Sequence, residues 1–369
     1  MTSATVVGAG SFGASIADRL AGSGYEVTLV DQFEPGDSRA ASGAESRLIR
    51  GCHGSDEWYT RSARRALDLW RELGDDLFVP SGMTWFARRD DGFEADSERT
   101  LRALGIEVER HPPAAAGELM PGASQEGLAF VLYEPGAGVL RAAECVRALV
   151  RRARDRGAEL VRAAARPDGA DVLLGDGRRL RSDVVVWAAG AWLGKLFPEL
   201  VRLRVTQQDV VFFAGPPEWT TPPVPAFVEY DGAAYGLAAL DGHGVKIAPD
   251  VEGPDFDPNT RERHARAESE RLAREYMRVR FPALAAAPLA AATVCQYSLT
   301  PDTNFIVAPH PEHDGVWIVG GGSGHGFKHG PALAEYVLEL LDGRAVPEPR
   351  FGLGARTADR SLRTAGAQS

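Results

Sequence analysis

The chain has 369 residues, of which 44% are hydrophobic, and its formal net charge at pH 7 is −10. This acidic balance, without a cluster of basic residues, argues against a nucleic-acid partner, because phosphate binding needs concentrated Lys and Arg. No basic segment precedes an apolar run at the N-terminus and no run reaches about 18 apolar residues, so we expect a cytoplasmic protein that does not enter a membrane.

The first element is a strand, glycine turn, helix and second strand. A β-branched run ends at Val7 and the G-x-G-x-x-G spacing follows. In such a unit the glycines permit a tight turn, close approach of a pyrophosphate and close helix packing, while the helix N-terminus attracts negative charge. An acid at the end of the second strand binds ribose hydroxyls. The pattern predicts an FAD or NAD site formed by Gly8, Gly10, Ser11, Phe12, Gly13 and Asp31.

The segments that follow favour FAD over NAD. A doubly wound nicotinamide enzyme would usually continue at once with further βα repeats. Here a polar segment from Asp37 leads instead into an amphipathic helix that ends near Leu73. Strand-like pieces such as GMTWFAR begin after Val79, and Pro- and Ala-rich loops follow.

The α/β pattern resumes at Val139 with a helix, a short strand and a hairpin. A buried strand, VVVW, then runs into a glycine turn at Gly190. Residues 204–293 read as a β-rich layer with one long helix that begins at about residue 261. The segment from Val316 returns to strand, glycine turn and helix.

These elements predict a mixed α/β and α+β protein. A discontinuous Rossmann-like FAD-binding domain alternates along the chain with a β-sheet-rich substrate domain. The first is assigned residues 1–80, 136–203 and 297–350, the second residues 81–135 and 204–296, and residues 351–369 form a tail expected to be disordered.

Five stretches carry a resemblance to a known family. They are VVGAGSFG, SRLIR from Ser46, YGLAALDGHGVKI from Tyr235, CQYSLTPDTNFIV from Cys295, and GSGHGFK ending at Lys328. In these motifs and their spacing the chain resembles the D-amino-acid oxidase superfamily, and within it the monomeric sarcosine oxidase and N-methyltryptophan oxidase group, over nearly its whole length.

The resemblance implies a glutathione-reductase-type FAD fold and an amine oxidase, expected to be a monomer. A hydride moves to flavin N5 from the carbon beside the amine nitrogen of a secondary, N-substituted or cyclic amino acid. The imine is hydrolysed, and O₂ is reduced to hydrogen peroxide. Three other functions stay open: a flavin dehydrogenase with another electron acceptor, a non-catalytic FAD-bearing subunit, and a nicotinamide dehydrogenase, which the interrupted topology disfavours.

The resemblance also implies roles for charged and aromatic residues. Arg50 and Lys328 anchor the substrate carboxylate, one through a planar fork and the other as a point charge. Lys246 lies near flavin N5 through water and stabilises the charge that O₂ gains, unless it simply points off an edge strand. Tyr235 and Tyr297 line the substrate cavity, or else are core aromatics with satisfied hydroxyls.

Cysteine usage and departures from the family pattern complete the expectations. Cys52, Cys145 and Cys295 have no short spacing, so neither a disulfide framework nor a metal site is expected. Cys295 stands where similar oxidases attach FAD through a thioether, although a lone cysteine is usually a small buried residue. Asp250 replaces a histidine that faces the substrate in sarcosine oxidases, and either faces inward or points to solvent.

Other residues complete the expected cofactor site. Ser42 departs from a family histidine beside the flavin. The segment GGGSGHGFK, from Gly320 to Lys328, is called the late glycine loop. It is expected to offer backbone N–H groups to the negative charge that gathers at flavin N1 and O2. The further cofactor positions are Ser42, Arg47, Gly190, Trp192, Cys295, Gly322, Gly324, His325, Gly326, Phe327 and Lys328.

Overall fold

The computed structural model describes residues 1–357. Its helices are α1 (Ser11–Gly22), α2 (Glu57–Leu73), α3 (Phe93–Ala103), α4 (Ala116–Leu119), α5 (Ala142–Asp155), α6 (Leu193–Leu196), α7 (Ala267–Arg280) and α8 (Gly330–Leu341). None of these helices is long and apolar enough to cross a membrane.

The strands between these helices form four sheets. In chain order they are β1 (Ser3–Val7), β2 (Glu26–Asp31), β3 (Arg47–Ile49), β4 (Phe78–Val79), β5 (Met83–Ala87), β6 (Glu109–His111), β7 (Phe130–Glu134), β8 (Gly138–Leu140), β9 (Glu159–Arg162), β10 (Ala165–Asp168), β11 (Asp171–Leu174), β12 (Arg179–Leu180), β13 (Val184–Trp187), β14 (Arg204–Phe213), β15 (Ala226–Glu229), β16 (Ala234–Leu237), β17 (Val245–Pro249), β18 (Leu289–Leu299), β19 (Ile306–Pro309) and β20 (Val316–Gly320).

A six-stranded sheet carries the glycine turn, in the order β19-β20-β13-β1-β2-β9. Its strands are almost continuously apolar because both faces are covered. Val6 packs toward α1, α5 and α8, whereas its neighbour Val7 packs toward the meander β10-β11-β12. Since β1 pairs in parallel with both β2 and β13, the turns that follow these three strands meet at one edge of the sheet.

An eight-stranded sheet forms the second layer, in the order β18-β14-β17-β16-β15-β5-β7-β6. Together the two sheets confirm the predicted fold class, a discontinuous α/β layer with a β-rich layer beside it. The division into domains stays a prediction. The strands of the second sheet come from the two segments assigned to the substrate domain, except that β18 continues to Leu299.

The strand register places several site candidates on one face of this second sheet. Cys295 and Tyr297 are two residues apart in β18, so they point the same way. Both lie opposite even-numbered residues of β14, as does Lys246, whose partner is Phe212. Tyr235 lies opposite the residue two positions after Lys246. All four side chains therefore project from one face.

The other face of the sheet is closed by α7. Val211, Val245 and Ile247 form a buried cluster with Ala273 and Met277 of that helix. Because this face is apolar and covered, the polar face with Lys246 is left to face the first layer.

Two elements differ from the sequence prediction. The long helix was expected from about residue 261, but α7 begins only at Ala267. The loops expected after Ala87 contain α3, whose buried positions include Glu94, Ser97 and Glu98. A helix that buries polar side chains shows no apolar stripe in the sequence, so the pattern concealed it.

The proposed tail also differs in its first residues. Phe351 is fully buried and its ring centroid lies 4.7 Å from that of Trp58. Arg356 donates to a carboxylate and to backbone oxygens near β19. The prediction of disorder is therefore wrong for residues 351–357, because their partners are distant in sequence. Residues 358–369 lie outside the described part of the chain.

Glu94 makes stability depend on pH. Its side chain is buried, and burial, with the charges of Asp231 and Glu229 adding, raises its pKa from 4.5 to about 7. The unfolded chain therefore releases this proton more readily than the folded protein, and stability falls as pH rises between these values. We expect Glu94→Gln to raise the melting temperature by a few degrees at pH 8 and to have little effect at pH 5. Thermal unfolding at both pH values checks this, with the exposed Glu107→Gln as control; an equal effect at both would contradict it.

Candidate active site

A long cleft runs from the glycine turn to the polar face of the eight-stranded sheet. It brings together the turns after β1, β2 and β13, the segment around β3, strand β18 and the late glycine loop. Of the residues assigned to the cofactor, it is lined by Gly8, Gly10, Ser11, Phe12, Asp31, Ser42, Arg47, Gly190, Trp192, Cys295, Gly322, Gly324, Gly326 and Phe327. Gly13, His325 and Lys328 do not line it.

The glycine turn has the shape that a pyrophosphate requires. Gly8 has φ +107°, and a Cβ on Gly13 would lie 1.8 Å from the Gly8 oxygen, so both are fixed by packing. At Gly10 a Cβ would meet only the Ser42 hydroxyl, at 3.2 Å, across the cleft. No side chain caps the N-terminus of α1. Its N–H groups therefore remain available to an anion in the cleft.

Asp31 braces this turn. Its carboxylate accepts hydrogen bonds from the backbone N–H of Ala9, at 2.6 Å, and of Phe33, at 2.8 Å. Burial raises its pKa, while these N–H groups oppose the rise. Each carboxylate oxygen has a second lone pair, so the group can still accept from ribose hydroxyls.

The late glycine loop contacts the start of α1, directly after the glycine turn that follows β1. The Ser11 hydroxyl donates to the Phe327 carbonyl at 2.7 Å, and a Cβ on Gly330 would lie 2.5 Å from that hydroxyl oxygen. The N–H groups of Ser323, His325 and Gly326 donate to carbonyl oxygens within the protein, so these three are not available to a flavin charge. The charge-stabilising role of the loop stays a prediction.

Arg47 contacts the sulfur of Cys295. Its guanidinium lies 3.1 Å from Sγ and also donates to the Ser46 carbonyl at 2.7 Å. Burial lowers the pKa of Arg47, but Cys295 and Tyr235 outweigh that effect, so the guanidinium stays charged. Cys295 is partly exposed and lines the cleft, so its sulfur and the Arg47 guanidinium meet at the cleft wall.

Lys246 lies in β17, between β14 and β16, so the edge-strand alternative is excluded. Its side chain is 3% exposed, and Nζ donates to Glu45 Oε1 at 2.7 Å and to Ser46 Oγ at 3.1 Å. Burial lowers the pKa of Lys246, which Glu45 partly offsets. For Glu45, burial favours a higher pKa, but Lys246 and Arg47 prevail and lower it to about 2. The two groups form a buried ion pair.

Sequence reasoning missed Glu45. The available signal was an acidic residue directly before the SRLIR motif, in a segment otherwise made of small residues. Nothing local connects it to Lys246, because the two residues are 201 positions apart.

Two tyrosines and an acid lie together on the same side of the sheet. The hydroxyl oxygens of Tyr235 and Tyr297 are 3.4 Å apart. Burial raises the pKa of Tyr235 well above its usual value, and the charges of Tyr297 and Asp250 add to the rise. The charge of Asp250 thus acts on Tyr235, and its Oδ1 is buried. Whether Asp250 faces the substrate stays a prediction.

Arg50 and Lys328 lie in one region behind the late loop. The Arg50 guanidinium donates to the Cys52 carbonyl and lies 5.0 Å from the centre of the Trp85 ring. Lys328 is buried, and its Nζ donates to the His325 carbonyl at 2.8 Å.

Two histidines lie near both Arg50 and Lys328. Burial lowers the pKa of His53 and of His329 well below the usual value, and the charges of Lys328 and Arg50 lower it further in both. The expected carboxylate anchors are therefore close enough to act on the same groups.

The chain is similar to known proteins over most of its length. The profile of a family described as FAD dependent oxidoreductase matches residues 3–340. The chain is 30% identical over 355 residues to monomeric sarcosine oxidase of Bacillus sp. strain B-0618, covering 91% of this chain and 90% of that protein. It is 29% identical over 362 residues to N-methyl-L-tryptophan oxidase of Citrobacter koseri, covering 94% and 96%.

Solved structures show the same fold. Fructosyl peptide oxidase from E. terrenum superposes with a TM-score of 0.85 at 21% identity, covering 98% of this chain and 94% of that one. L-proline dehydrogenase from P. horikoshii gives 0.83 at 22% identity, covering 95% and 96%. From the family match and the sequence relatives, the chain belongs to the FAD-dependent oxidoreductase family and is of the sarcosine oxidase and N-methyltryptophan oxidase type.

Proposed function

We propose that the protein is an amine oxidase for a secondary, N-substituted or cyclic amino acid, with O₂ reduced to hydrogen peroxide and the imine product hydrolysed. Bound FAD supplies the hydride acceptor. The observation that carries the proposal is the buried ammonium of Lys246, held by Glu45 on the sheet face that it shares with Cys295 and Tyr297.

We assign some side chains to substrate binding and one, Lys246, to charge stabilisation. Arg50 and Lys328 bind the substrate carboxylate, which fixes the carbon that loses hydride. We assign the orientation of the amine nitrogen to the Tyr235 hydroxyl and the Asp250 carboxylate, and the effect of the Asp250 charge on Tyr235 supports this. Lys246 holds a buried positive charge that stabilises the negative charge O₂ gains.

The cofactor is held at both ends of the cleft. The glycine turn and Asp31 receive the pyrophosphate and ribose, and Cys295 attaches the flavin covalently. We further propose a cytoplasmic monomer that binds neither nucleic acid nor a membrane. The three cysteines, all free within residues 1–357, suit a reducing compartment.

A peroxide-coupled screen of N-methyl and cyclic amino acids tests the function. We expect one of these classes to reduce the flavin without air and to yield one peroxide per turnover in air. Reduction without peroxide would instead establish a dehydrogenase with another acceptor. If no substrate reduces the flavin, the non-catalytic subunit is correct.

Cys295→Ser is expected to abolish covalent attachment. Serine replaces the thiol, which Arg47 polarises, by a hydroxyl that does not ionise under these conditions. After acid precipitation the wild-type pellet should keep its yellow colour, whereas the variant should release FAD to the supernatant. Cys145→Ser, at a buried cysteine in α5, is the matched control and should behave as wild type. FAD released from the wild-type protein would refute the attachment.

A further inference from the structure

Three histidines converge beside the expected carboxylate anchors. His53 follows β3, His325 belongs to the late glycine loop and His329 precedes α8. Their exposed fractions are 2%, 7% and 0%, and one ring nitrogen from each lies within 4.8 Å of the others. No metal site was predicted from the sequence because only the cysteines, which have no short spacing, were considered, although His325 and His329 are four positions apart, a spacing found in zinc sites.

In each ring one nitrogen, called the outer nitrogen, lies at hydrogen-bonding distance from a protein oxygen, and the other is called the inner nitrogen. His53 Nδ1 and His325 Nε2 lie 2.9 and 3.0 Å from backbone carbonyl oxygens, and His329 Nδ1 lies 3.0 Å from the Ser62 hydroxyl. A carbonyl only accepts, so His53 and His325 carry their protons on these outer nitrogens and direct a lone pair from the other nitrogen. This arrangement is the one that orients metal-bound histidines.

Two of the inner nitrogens are available to a ligand. Within residues 1–357, Nε2 of His53 and Nε2 of His329 are buried without a hydrogen-bond partner. A buried nitrogen that accepts no bond loses the hydration it had in water, which costs free energy unless a ligand takes its place.

The spacing of the rings suits a shared ligand. The centroid of the His329 ring lies 5.2 Å from that of His53 and 6.0 Å from that of His325, and the third distance is 6.3 Å. Bonds of about 2.1 Å from a tetrahedral zinc ion to three imidazoles place their centroids roughly 5 to 6 Å apart. Small ring movements close the difference.

We propose that His53, His325 and His329 form a binding site for a divalent transition metal of the zinc type, with three imidazole ligands and an open fourth position. Three neutral nitrogen ligands suit zinc, copper and nickel, and disfavour magnesium and calcium, which take oxygen.

The neighbouring charges define the fourth ligand. Arg50 and Lys328 are close enough to act on His53, and their two positive charges oppose the binding of a metal cation. An anion at the fourth position offsets this repulsion, so we expect hydroxide or a carboxylate there. The proposed metal site therefore adjoins the two residues assigned to the substrate carboxylate.

Equilibrium dialysis of the flavin-containing protein against Zn²⁺ tests the site, after EDTA treatment and with metal content as the readout. We expect about one equivalent per chain, and at least about tenfold weaker binding in His53→Gln and in His329→Gln. The control changes another histidine pair, His310 and His313, whose ring centroids lie 4.5 Å apart. The variant with both of these histidines replaced by glutamine should still bind about one equivalent of zinc. This readout is independent of the proposed oxidase activity.

Two results would overturn the proposal. Wild-type protein that binds no zinc would show that the histidines surround a water molecule or nothing at all, and unchanged binding in both variants would place the zinc elsewhere. If the variants do not fold, Cu²⁺ added to the wild-type protein decides: electron paramagnetic resonance should show coupling to imidazole nitrogens, and its absence rejects the site.

Discussion

Lys246→Met is expected to slow reoxidation of the reduced flavin by O₂ about 100-fold or more and to leave reduction by substrate largely intact. Methionine keeps the length of the side chain but removes the ammonium. Because the site is buried, the charge acts on the developing negative charge with little screening, and one such preorganised group contributes roughly 100- to 1,000-fold. Stopped-flow measurement of the two half-reactions separates the effects.

Two further variants make the result specific. Lys195→Met removes an exposed lysine paired with Asp257 and should leave both half-reactions unchanged. Lys246→Met alone leaves the Glu45 carboxylate buried without its cation, which is itself destabilising. The double variant Lys246→Met/Glu45→Gln removes that charge as well, and should still react slowly with O₂. Reoxidation at the wild-type rate in Lys246→Met or in the double variant would refute the assigned role.

The part of the site that the sequence predicted is local along the chain. Gly8, Gly10 and Gly13 act within one turn, and the need for each is visible in its spacing. Cys295 and Tyr297 share a face because a strand alternates, so one strand assignment orients both. These features follow from backbone geometry that a few consecutive residues determine.

The part that was missed depends on pairings between distant segments. Glu45 meets Lys246 only because β17 lies inside the second sheet and its polar face turns toward the first layer. The histidines meet because the late loop is joined to α1 through Ser11. No period or spacing in the sequence encodes such contacts, and α3 was concealed because it buries acids such as Glu94.

Arg50→Met is expected to lower kcat/KM about 100- to 1,000-fold, chiefly through KM, for the substrate that the peroxide screen identifies. Loss of one partner of a buried, hydrogen-bonded charge pair costs about 2 to 5 kcal/mol. The kcat/KM of Arg50→Lys should lie between those of the wild type and Arg50→Met, since lysine keeps the positive charge but lacks the planar guanidinium fork. Arg61→Met, at an exposed arginine paired with Glu57 on α2, is the matched control.

A carboxylate-free analogue of the same amine separates binding of the carboxylate from a general effect on the fold. Wild-type protein should use this analogue poorly, and Arg50→Met should use it no worse than wild type, because the guanidinium then has no anion to bind. The Arg50 substitution and removal of the carboxylate should therefore be strongly non-additive in a double cycle. An equal loss of kcat/KM with both substrates would mean that Arg50 acts through its contacts with Cys52 and Trp85, and the carboxylate would then have to be anchored elsewhere.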